Sequence, residues 1–227
     1  MRLLRFVALL LITTVLMTWP VLVHADTLSI GVSTGGPPTT VATGAGMASV
    51  TLAFGPFSEI TVSAHGQSTL TPPDVLFTNS INTATAVGGN LQIFVTDQGL
   101  TSPNSPNGAV PFGSSFTVNT LPPGWTVLEQ TFVDQNDGLY GGNPLSAASF
   151  SAIGTNAQAT AAMTGPTPYS VTEEFSVRAS GAGDSNDTID LAATPVVGAV
   201  PEPSVLIVLG FGLLGLVGIK RCTWHSC

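Results

Sequence analysis

Two short segments of the sequence concentrate side-chain oxygens in the manner of calcium-binding turns. Their candidate ligands are Asp134, Asn136 and Asp137 in the first segment, and Asp184, Asn186, Asp187 and Asp190 in the second. Ca²⁺ prefers carboxylate and amide oxygens, which such turns supply. Neither segment ends in the glutamate that completes an EF-hand loop, so ordinary Asx turns and a polar linker are the alternative interpretation.

Acid–base catalysis has one histidine candidate between residues 26 and 199, which is His65. It continues the polar face of Glu59, Thr61 and Ser63 in a segment that alternates like a β-strand. A histidine in that position is solvated, and we expect no catalytic role for it.

Two adjacent glutamates, Glu173 and Glu174, are the next candidates for catalysis. Because successive side chains of a strand point to opposite faces, these carboxylates cannot form the facing acid pair of a glycosidase. Glu173 has apolar neighbours, and we expect it to mark a strand edge or a bulge. The same stretch has no cysteine and no lysine. The sequence therefore predicts no enzymatic activity.

Charge is sparse and unevenly distributed along the chain. The basic residues are Arg2, Arg5, Arg178, Lys220 and Arg221. Between residues 26 and 199 there are twelve acidic residues and one arginine, which gives a net charge of −11. Such a surface repels phosphate backbones, so nucleic acid is excluded as a partner. Both cysteines lie near the C-terminus, and no disulfide is expected within this stretch.

Side chains in the middle of the chain alternate with a period of two. From Tyr169, the apolar residues Val171, Phe175 and Val177 share one face and polar residues share the other. The same alternation occurs in residues 50–54, 60–64 and 91–95, and less regularly in residues 125–133. Turn motifs rich in proline, glycine and asparagine separate these runs. The pattern predicts an all-β domain with an antiparallel β-sandwich architecture.

Three other segments complete the fold prediction. Residues 97–114 and 138–145 are expected to be surface loops. Residues 157–164 are rich in alanine, and their periodicity leaves a short helix and a strand as alternatives.

The N-terminus has the three parts of a secretory signal peptide. Arg2 and Arg5 form a positive region, an apolar core follows, and the small residues Val23 and Ala25 precede Asp26. We expect signal peptidase to cleave between Ala25 and Asp26. An uncleaved membrane anchor is the alternative, but the apolar run is short for one.

The C-terminal segment combines a proline motif with an apolar run and a basic pair. The motif comprises Val200, Pro201, Glu202, Pro203 and Ser204, and Lys220 and Arg221 follow the apolar run. The prolines keep the motif extended and accessible. Residues 204–219 are predicted to form a transmembrane helix, and the basic pair stops transfer and leaves the tail 220–227 in the cytoplasm. A plain membrane anchor is the alternative interpretation.

This segment resembles the PEP-CTERM sorting domain of proteins exported by Gram-negative bacteria, a motif also labelled the ice-binding protein C-terminal domain. The resemblance implies that the chain is a substrate of an exosortase, which processes it near the motif. It also implies a membrane-anchored precursor that is moved to the outer surface or the extracellular matrix, with exopolysaccharide as a candidate partner.

Together, these features predict a signal peptide (1–25), an exported β-rich domain (26–198) and a sorting segment (199–227). The function we expect is that of a non-enzymatic protein of the cell envelope or exopolysaccharide matrix. The alternative is a carbohydrate-binding module or a hydrolase on a β-sandwich. Aromatic residues on a sheet face would favour sugar binding, and a face of threonine and serine would favour the structural role. Apart from calcium, no cofactor is predicted.

Overall fold

Extended backbone dominates the part of the chain that the computed structural model describes, which comprises residues 26–105, 109–165 and 168–194. The strands are β1 (Thr27–Ser33), β2 (Thr39–Ala45), β3 (Met47–Phe54), β4 (Phe57–Gly66), β5 (Asp74–Thr85), β6 (Gly89–Leu100), β7 (Val110–Thr120), β8 (Thr126–Asp134), β9 (Asn143–Phe150), β10 (Gly154–Ala162), β11 (Tyr169–Ala179) and β12 (Gly183–Ala193). A short 3₁₀ turn at Gln67–Thr69 lies between β4 and β5. The all-β prediction is therefore confirmed for the described ranges.

The strands form two antiparallel sheets. Sheet A has the order β2-β1-β6-β11-β8-β9, and sheet B has the order β10-β7-β12-β5-β4-β3. Between β1 and β12 the chain passes from one sheet to the other seven times. At two of these crossings, β2 to β3 and β9 to β10, both strands are terminal strands of their sheets and lie at the same edge of the sandwich. The predicted antiparallel sandwich is confirmed at this level.

The alternation of side chains places one apolar face of each sheet in a shared core. Leu28, Ile93 and Phe175 contribute to it from sheet A, and Ile60 and Phe116 contribute from sheet B. All of these side chains are buried. Burial of apolar surface between the two inner faces supplies the main stabilisation of such a sandwich, and no disulfide is needed.

An aromatic pair closes one end of the core. Trp125 immediately precedes β8, and its ring packs edge-to-face against Phe57 at the start of β4, with 6.5 Å between the ring centroids. Both residues are buried. Because a large ring fills this end, its loss leaves a cavity between the sheets.

Five of the strands correspond to the alternating runs of the sequence, namely β3, β4, β6, β8 and β11. The expected loop at 97–114 is too long, because β6 continues to Leu100 and β7 begins at Val110. The 138–145 loop is largely confirmed, since β9 begins at Asn143. Residues 157–164 belong mostly to β10, so the strand alternative is the correct one.

The predictions for the two ends of the chain concern residues outside the described ranges. These are the signal peptide with Val23 and Ala25, the sorting motif 200–204, the transmembrane helix 204–219, and the stop-transfer pair Lys220 and Arg221. Among the described residues, no helix is long and apolar enough to cross a membrane.

We predict that residues 26–198 fold on their own, because the core within the described ranges is built from residues between 28 and 193. Circular dichroism of this fragment should give a β-sheet spectrum with one cooperative thermal transition. Trp125→Ala should lower the free energy of unfolding by about 3–5 kcal/mol because it opens a cavity. The exposed Val87→Ala serves as the control, and its effect should stay within about 0.5 kcal/mol. A coil or helical spectrum would refute the independent domain.

Candidate functional site

The outer face of sheet A presents an ordered array of polar side chains. Strand pairing aligns the outward side chains of β6, β11 and β8 in three rows. The rows are Asn90, Arg178 and Thr126; Gln92, Ser176 and Leu128; and Phe94, Glu174 and Gln130. Residues two apart in a strand lie on the same face, so the three rows form one surface.

A loop covers part of this face. Residues 135–142 connect β8 to β9, and the Tyr140 ring lies 5.8 Å from the Phe94 ring, tilted by 52°. The Tyr140 hydroxyl is 2.6 Å from Thr40 Oγ1, and the Tyr140 backbone N–H donates to Thr96 Oγ1 at 3.1 Å. Gly31 permits this approach, because a Cβ atom there would stand 2.6 Å from Tyr140 Cζ. The loop is thus fixed over β1, β2 and one half of β6.

The uncovered half of the face forms an open groove of about 530 Å³ across β6, β11, β8 and β9. We call it the sheet A groove. Its walls include the outward side chains of Asn90, Gln92, Thr126, Leu128, Ser149 and Arg178, whereas Phe150, paired with Val127, turns its ring toward the core. Four strands separated by about 4.8 Å each give the groove a width of about 14 Å. This is room for a chain-like ligand laid across the sheet.

Charge in and around the groove is confined to two side chains. Arg178 is exposed and lines the groove. Glu174 lies beside the groove, and its carboxylate accepts hydrogen bonds from Gln92 Nε2 at 3.1 Å and Ser176 Oγ at 2.8 Å. The lining residues themselves include no carboxylate. The groove therefore offers amides, hydroxyls and one guanidinium to a ligand.

The outer face of sheet B has a different character. Small polar residues recur along it, as in the hydroxyl pair of Thr51 and Thr61 at 3.1 Å and the hydrogen bond from Asn186 Nδ2 to Asn82 Oδ1 at 2.6 Å. His65 lies on this face and is half-buried. Aromatic side chains lie on both outer faces, with Phe94 beneath Tyr140 on sheet A and Phe77 opposite His65 on sheet B.

The second candidate calcium-binding segment does not form the turn that was predicted from the sequence. Residues 184–190 belong to strand β12, not to a loop or linker. Asp187 is buried on the inner face, whereas Asp184, Asn186 and Asp190 lie on the outer face. The alternation of a strand therefore separates oxygens that a loop would have brought together.

The first calcium candidate is a turn, and its oxygens are engaged by the protein. Asp134 Oδ1 accepts from the backbone N–H of Asn136 at 2.8 Å, which is an Asx turn. Asp137 Oδ1 accepts from the backbone N–H of Gly99 at 2.8 Å and so ties the turn to β6. Within residues 26–105, 109–165 and 168–194, no three acidic, histidine or cysteine residues are grouped closely enough to hold a metal ion.

Asp26, the residue after the predicted cleavage site, has a structural contact at the start of the domain. Its Oδ2 accepts from the backbone N–H of Ser68, and Asp97 Oδ2 accepts from the backbone N–H of Gln67, each at 2.8 Å. Both carboxylates thus bind the first N–H groups of the 3₁₀ turn, which otherwise lack partners. Asp26 anchors the chain where β1 begins.

Glu173 is not at an edge or bulge, as expected from the sequence, but in the core. It lies on β11, between two paired strands, and is buried. The Thr78 hydroxyl of sheet B donates to Glu173 Oε2 across the sandwich. The core can accept this carboxyl because a hydroxyl of the opposite sheet reaches it.

Glu173 belongs to a set of buried polar residues that we call the internal polar seam. Its members are Thr78, Thr83, Ser114, Glu129, Thr131, Glu173, Ser185 and Asp187. Ser114 Oγ and Thr131 Oγ1, which belong to opposite sheets, are 2.7 Å apart. The carboxylate oxygens of Glu129 and Asp187 have no hydrogen-bond partner among the described residues. Glu129 was not predicted from the sequence to be buried, although it shares one face of β8 with Val127, Thr131 and Val133, a pattern that indicates burial.

Burial changes the protonation of this seam. It raises the pKa of Glu129 to about 9, where repulsion from Asp187 adds to the effect, and it raises the pKa of Asp187 to about 7. Burial also raises the pKa of Glu173 well above its usual value, despite the Thr78 hydrogen bond. At neutral pH, Glu129 is therefore protonated and uncharged, and burial favours the neutral form of Glu173.

We predict that the folded domain loses stability as the pH rises. In the unfolded chain, these carboxyls have pKa values of about 4. The folded state thus binds more protons between about pH 4 and pH 9, and the free energy of unfolding must fall across that range. Glu129→Gln should make the fall smaller above pH 7. Urea unfolding at a series of pH values measures both slopes.

Glu59→Gln, at an exposed position of β4, is the control for this experiment and should keep the wild-type slope. A wild-type stability that rises from pH 5 to pH 9 would contradict the protonated seam.

Comparison with known proteins places the chain in no family. No family model matches it, and no curated protein matches it. The match to the structure of TmCBM61 in complex with β-1,4-galactotriose covers 59% of this chain and 81% of that one, at 14% identity and a TM-score of 0.32.

Two further solved structures are similar to parts of the chain. One is the enzymatically active domain of tailspike protein 4 of bacteriophage CBA120, with 60% and 18% of the two chains covered, 15% identity and a TM-score of 0.33. The other is the carbohydrate-binding module CBM6cm-2 from Cellvibrio mixtus lichenase 5A in complex with cellotriose, with 64% and 97% covered, 11% identity and a TM-score of 0.24. These similarities are too remote to bear on function.

Proposed function

We propose that this protein is an exported, non-enzymatic component of the cell envelope or exopolysaccharide matrix, and that it binds a neutral polysaccharide in the sheet A groove. The groove is the single observation that carries the proposal. It is an open cleft on a rigid sheet, with donors, acceptors and the apolar Leu128 side chain brought together from four strands.

The side chains of the groove match the chemistry of a sugar chain. Asn90, Gln92 and Arg178 offer hydrogen-bond donors and acceptors for sugar hydroxyls, and Leu128 offers apolar surface for the C–H face of a sugar ring. A neutral polysaccharide is favoured because residues 26–199 contain twelve acidic residues and one arginine, and the domain stays negative, and repels polyanions, even with Glu129 protonated.

Binding without hydrolysis is supported by the positions of the two adjacent glutamates. A glycosidase needs two carboxyl groups directed at one bond. Glu174 lies beside the groove, but Glu173 points into the core, where Thr78 binds it. The groove thus has one neighbouring carboxylate, and that carboxylate is already held by Gln92 and Ser176.

Export and attachment rest on the sequence of the two ends. The signal peptide would carry the chain out of the cytoplasm, and the proline motif at 200–204 would present it to an exosortase. An exported domain with an acidic, weakly charged surface remains soluble once it is released. Its groove would then be free to hold polysaccharide outside the cell.

We predict that Arg178→Ala weakens polysaccharide binding by about tenfold, because a charged hydrogen bond contributes about 1.5 kcal/mol or more. Affinity electrophoresis of residues 26–198 in gels containing soluble β-glucan, or the exopolysaccharide of the producing cell, measures the change. Thr117→Ala on the outer face of sheet B is the control and should bind as the wild type does.

Equal weakening by both variants would place binding away from the groove. Absence of retardation by any polysaccharide would remove the binding role and leave the structural one. Release of new reducing ends by the wild type would favour the hydrolase alternative.

We also predict that the mature protein from its native host lacks residues 1–25 and most of the chain beyond the proline motif. Pro201→Ala together with Glu202→Ala should leave a longer form in the membrane, because the extended processing site is lost. Intact-mass measurement distinguishes the two forms. If wild-type protein recovered from cells with an exosortase still carried residues 205–227, the segment would be a plain membrane anchor.

A further inference from the structure

Uncharged residues form both edges of the sandwich. No charged residue occurs in 27–58, which contains β2 and β3, or in 138–172, which contains β9 and β10. The charges of the described domain lie on or next to the other strands and their connecting loops. An acidic domain of this kind repels a second copy of itself everywhere except at such edges.

Strand β10 leaves one long side of its backbone open. Gly154–Ala162 pairs with β7 without a register shift, and β10 is the terminal strand of sheet B. Its nine residues include no proline and no charge. Proteins usually protect a terminal strand with a charge, a proline or a bulge, because unpaired N–H and C=O groups invite another strand.

The neighbouring terminal strand, β9 of sheet A, is partly capped. Thr160 Oγ1 donates to the Leu145 carbonyl at 2.7 Å, and Gln158 Nε2 donates to the Ala147 carbonyl at 2.6 Å. Side chains of β10 therefore occupy the backbone acceptors of β9. At this edge, β10 is the strand that remains available.

The opposite edge is held differently. Where β2 turns into β3, the Gly46 carbonyl accepts from the Gly66 N–H at 2.8 Å and from Thr69 Oγ1 at 2.9 Å. The 3₁₀ turn thus lies against the start of β3. One large exposed apolar residue, Met47, is found there.

Two exposed apolar residues flank β10 symmetrically. Ile153 precedes the strand and is 66% exposed, and Met163 follows it and is 41% exposed. Gln158 is the midpoint between them. An antiparallel pairing of two copies about a two-fold axis at Gln158 would place Ile153 of each copy opposite Met163 of the other. Both side chains would then lose their exposure to water.

We propose that β10 is a self-association site, at which a second copy of this chain adds its own β10 in an antiparallel pair centred on Gln158. The pairing joins the two six-stranded B sheets into one continuous sheet. It leaves the sheet A groove uncovered, because the groove lies on the outer face of the other sheet. Self-association is therefore independent of polysaccharide binding.

The register can be tested by disulfide trapping in the full chain. In the proposed pair, residue 157 of one copy lies opposite residue 159 of the other, and directly opposite residues are within disulfide reach. The background is Cys222→Ser with Cys227→Ser, which removes the two native cysteines. Ala157→Cys and Ala159→Cys chains with different tags are co-expressed in an exporting Gram-negative host.

We predict a disulfide-linked dimer that carries both tags, about tenfold stronger than the dimer from either variant alone, because pairing raises the effective thiol concentration. Non-reducing gels read with both tags measure it. Ser115→Cys with Thr117→Cys on the adjacent strand β7 is the matched control and should give background levels. Equal yields for the two pairs, or no dimer with both tags, would overturn the proposal.

A second variant tests association without cysteines. Ala157→Asp with Ala159→Asp places like charges opposite each other in the proposed pair and should abolish the dimer in chemical crosslinking of the full chain. Ser115→Asp with Thr117→Asp adds the same charge to β7 and should leave the dimer intact. Persistence of the dimer in the first variant, or its loss in both, would count against pairing through β10.

Discussion

Several carboxyl groups are buried between the two sheets, and the described residues contain one arginine and no lysine to neutralise them. Protonation therefore keeps the buried carboxyls uncharged, and hydroxyl groups supply their hydrogen bonds. The bond from Thr78 to Glu173 and the contact of Ser114 with Thr131 cross from one sheet to the other. Polar pairs of this kind are satisfied in one alignment of the sheets, whereas apolar contacts tolerate several. The seam therefore helps to define which strand face is inner and which is outer, and the sites on the outer faces follow from that alignment.

The two outer faces differ because of what covers them. On sheet A, the 135–142 loop is fixed by Tyr140 and leaves one half of the sheet as an open groove. On sheet B, threonine, serine and asparagine side chains bond to one another, as Thr51 and Thr61 do, along an outer face that also carries His65 and Phe77. The open groove on one face suits the proposed binding of a polysaccharide chain.

Charge is arranged so that a second copy of the chain can approach the edges of the sandwich more easily than its faces. The acidic residues of the outer faces keep copies apart in solution, while β10 has neither charge nor proline. An isologous pair through β10 would double the number of grooves in one particle. Two weak sites on one particle bind a repeating polymer more tightly than either site alone, so the proposed self-association would add to the proposed binding.

The sequence by itself determined the β-class, five of the strands and the turns between them, because period-two alternation and proline- or glycine-rich turns are local signals. The secretion and sorting predictions are likewise local, since each rests on a contiguous run of residues at one end of the chain. Strand β12 was misread because its outer positions are acidic, although Ser185, Asp187, Ile189 and Leu191 alternate inward. The burial of Glu173 was decided by the tertiary structure, since its partner Thr78 lies 95 residues away in the opposite sheet. The tertiary structure also decided the groove, because β6, β8, β9 and β11 become neighbours through pairings that no local pattern specifies.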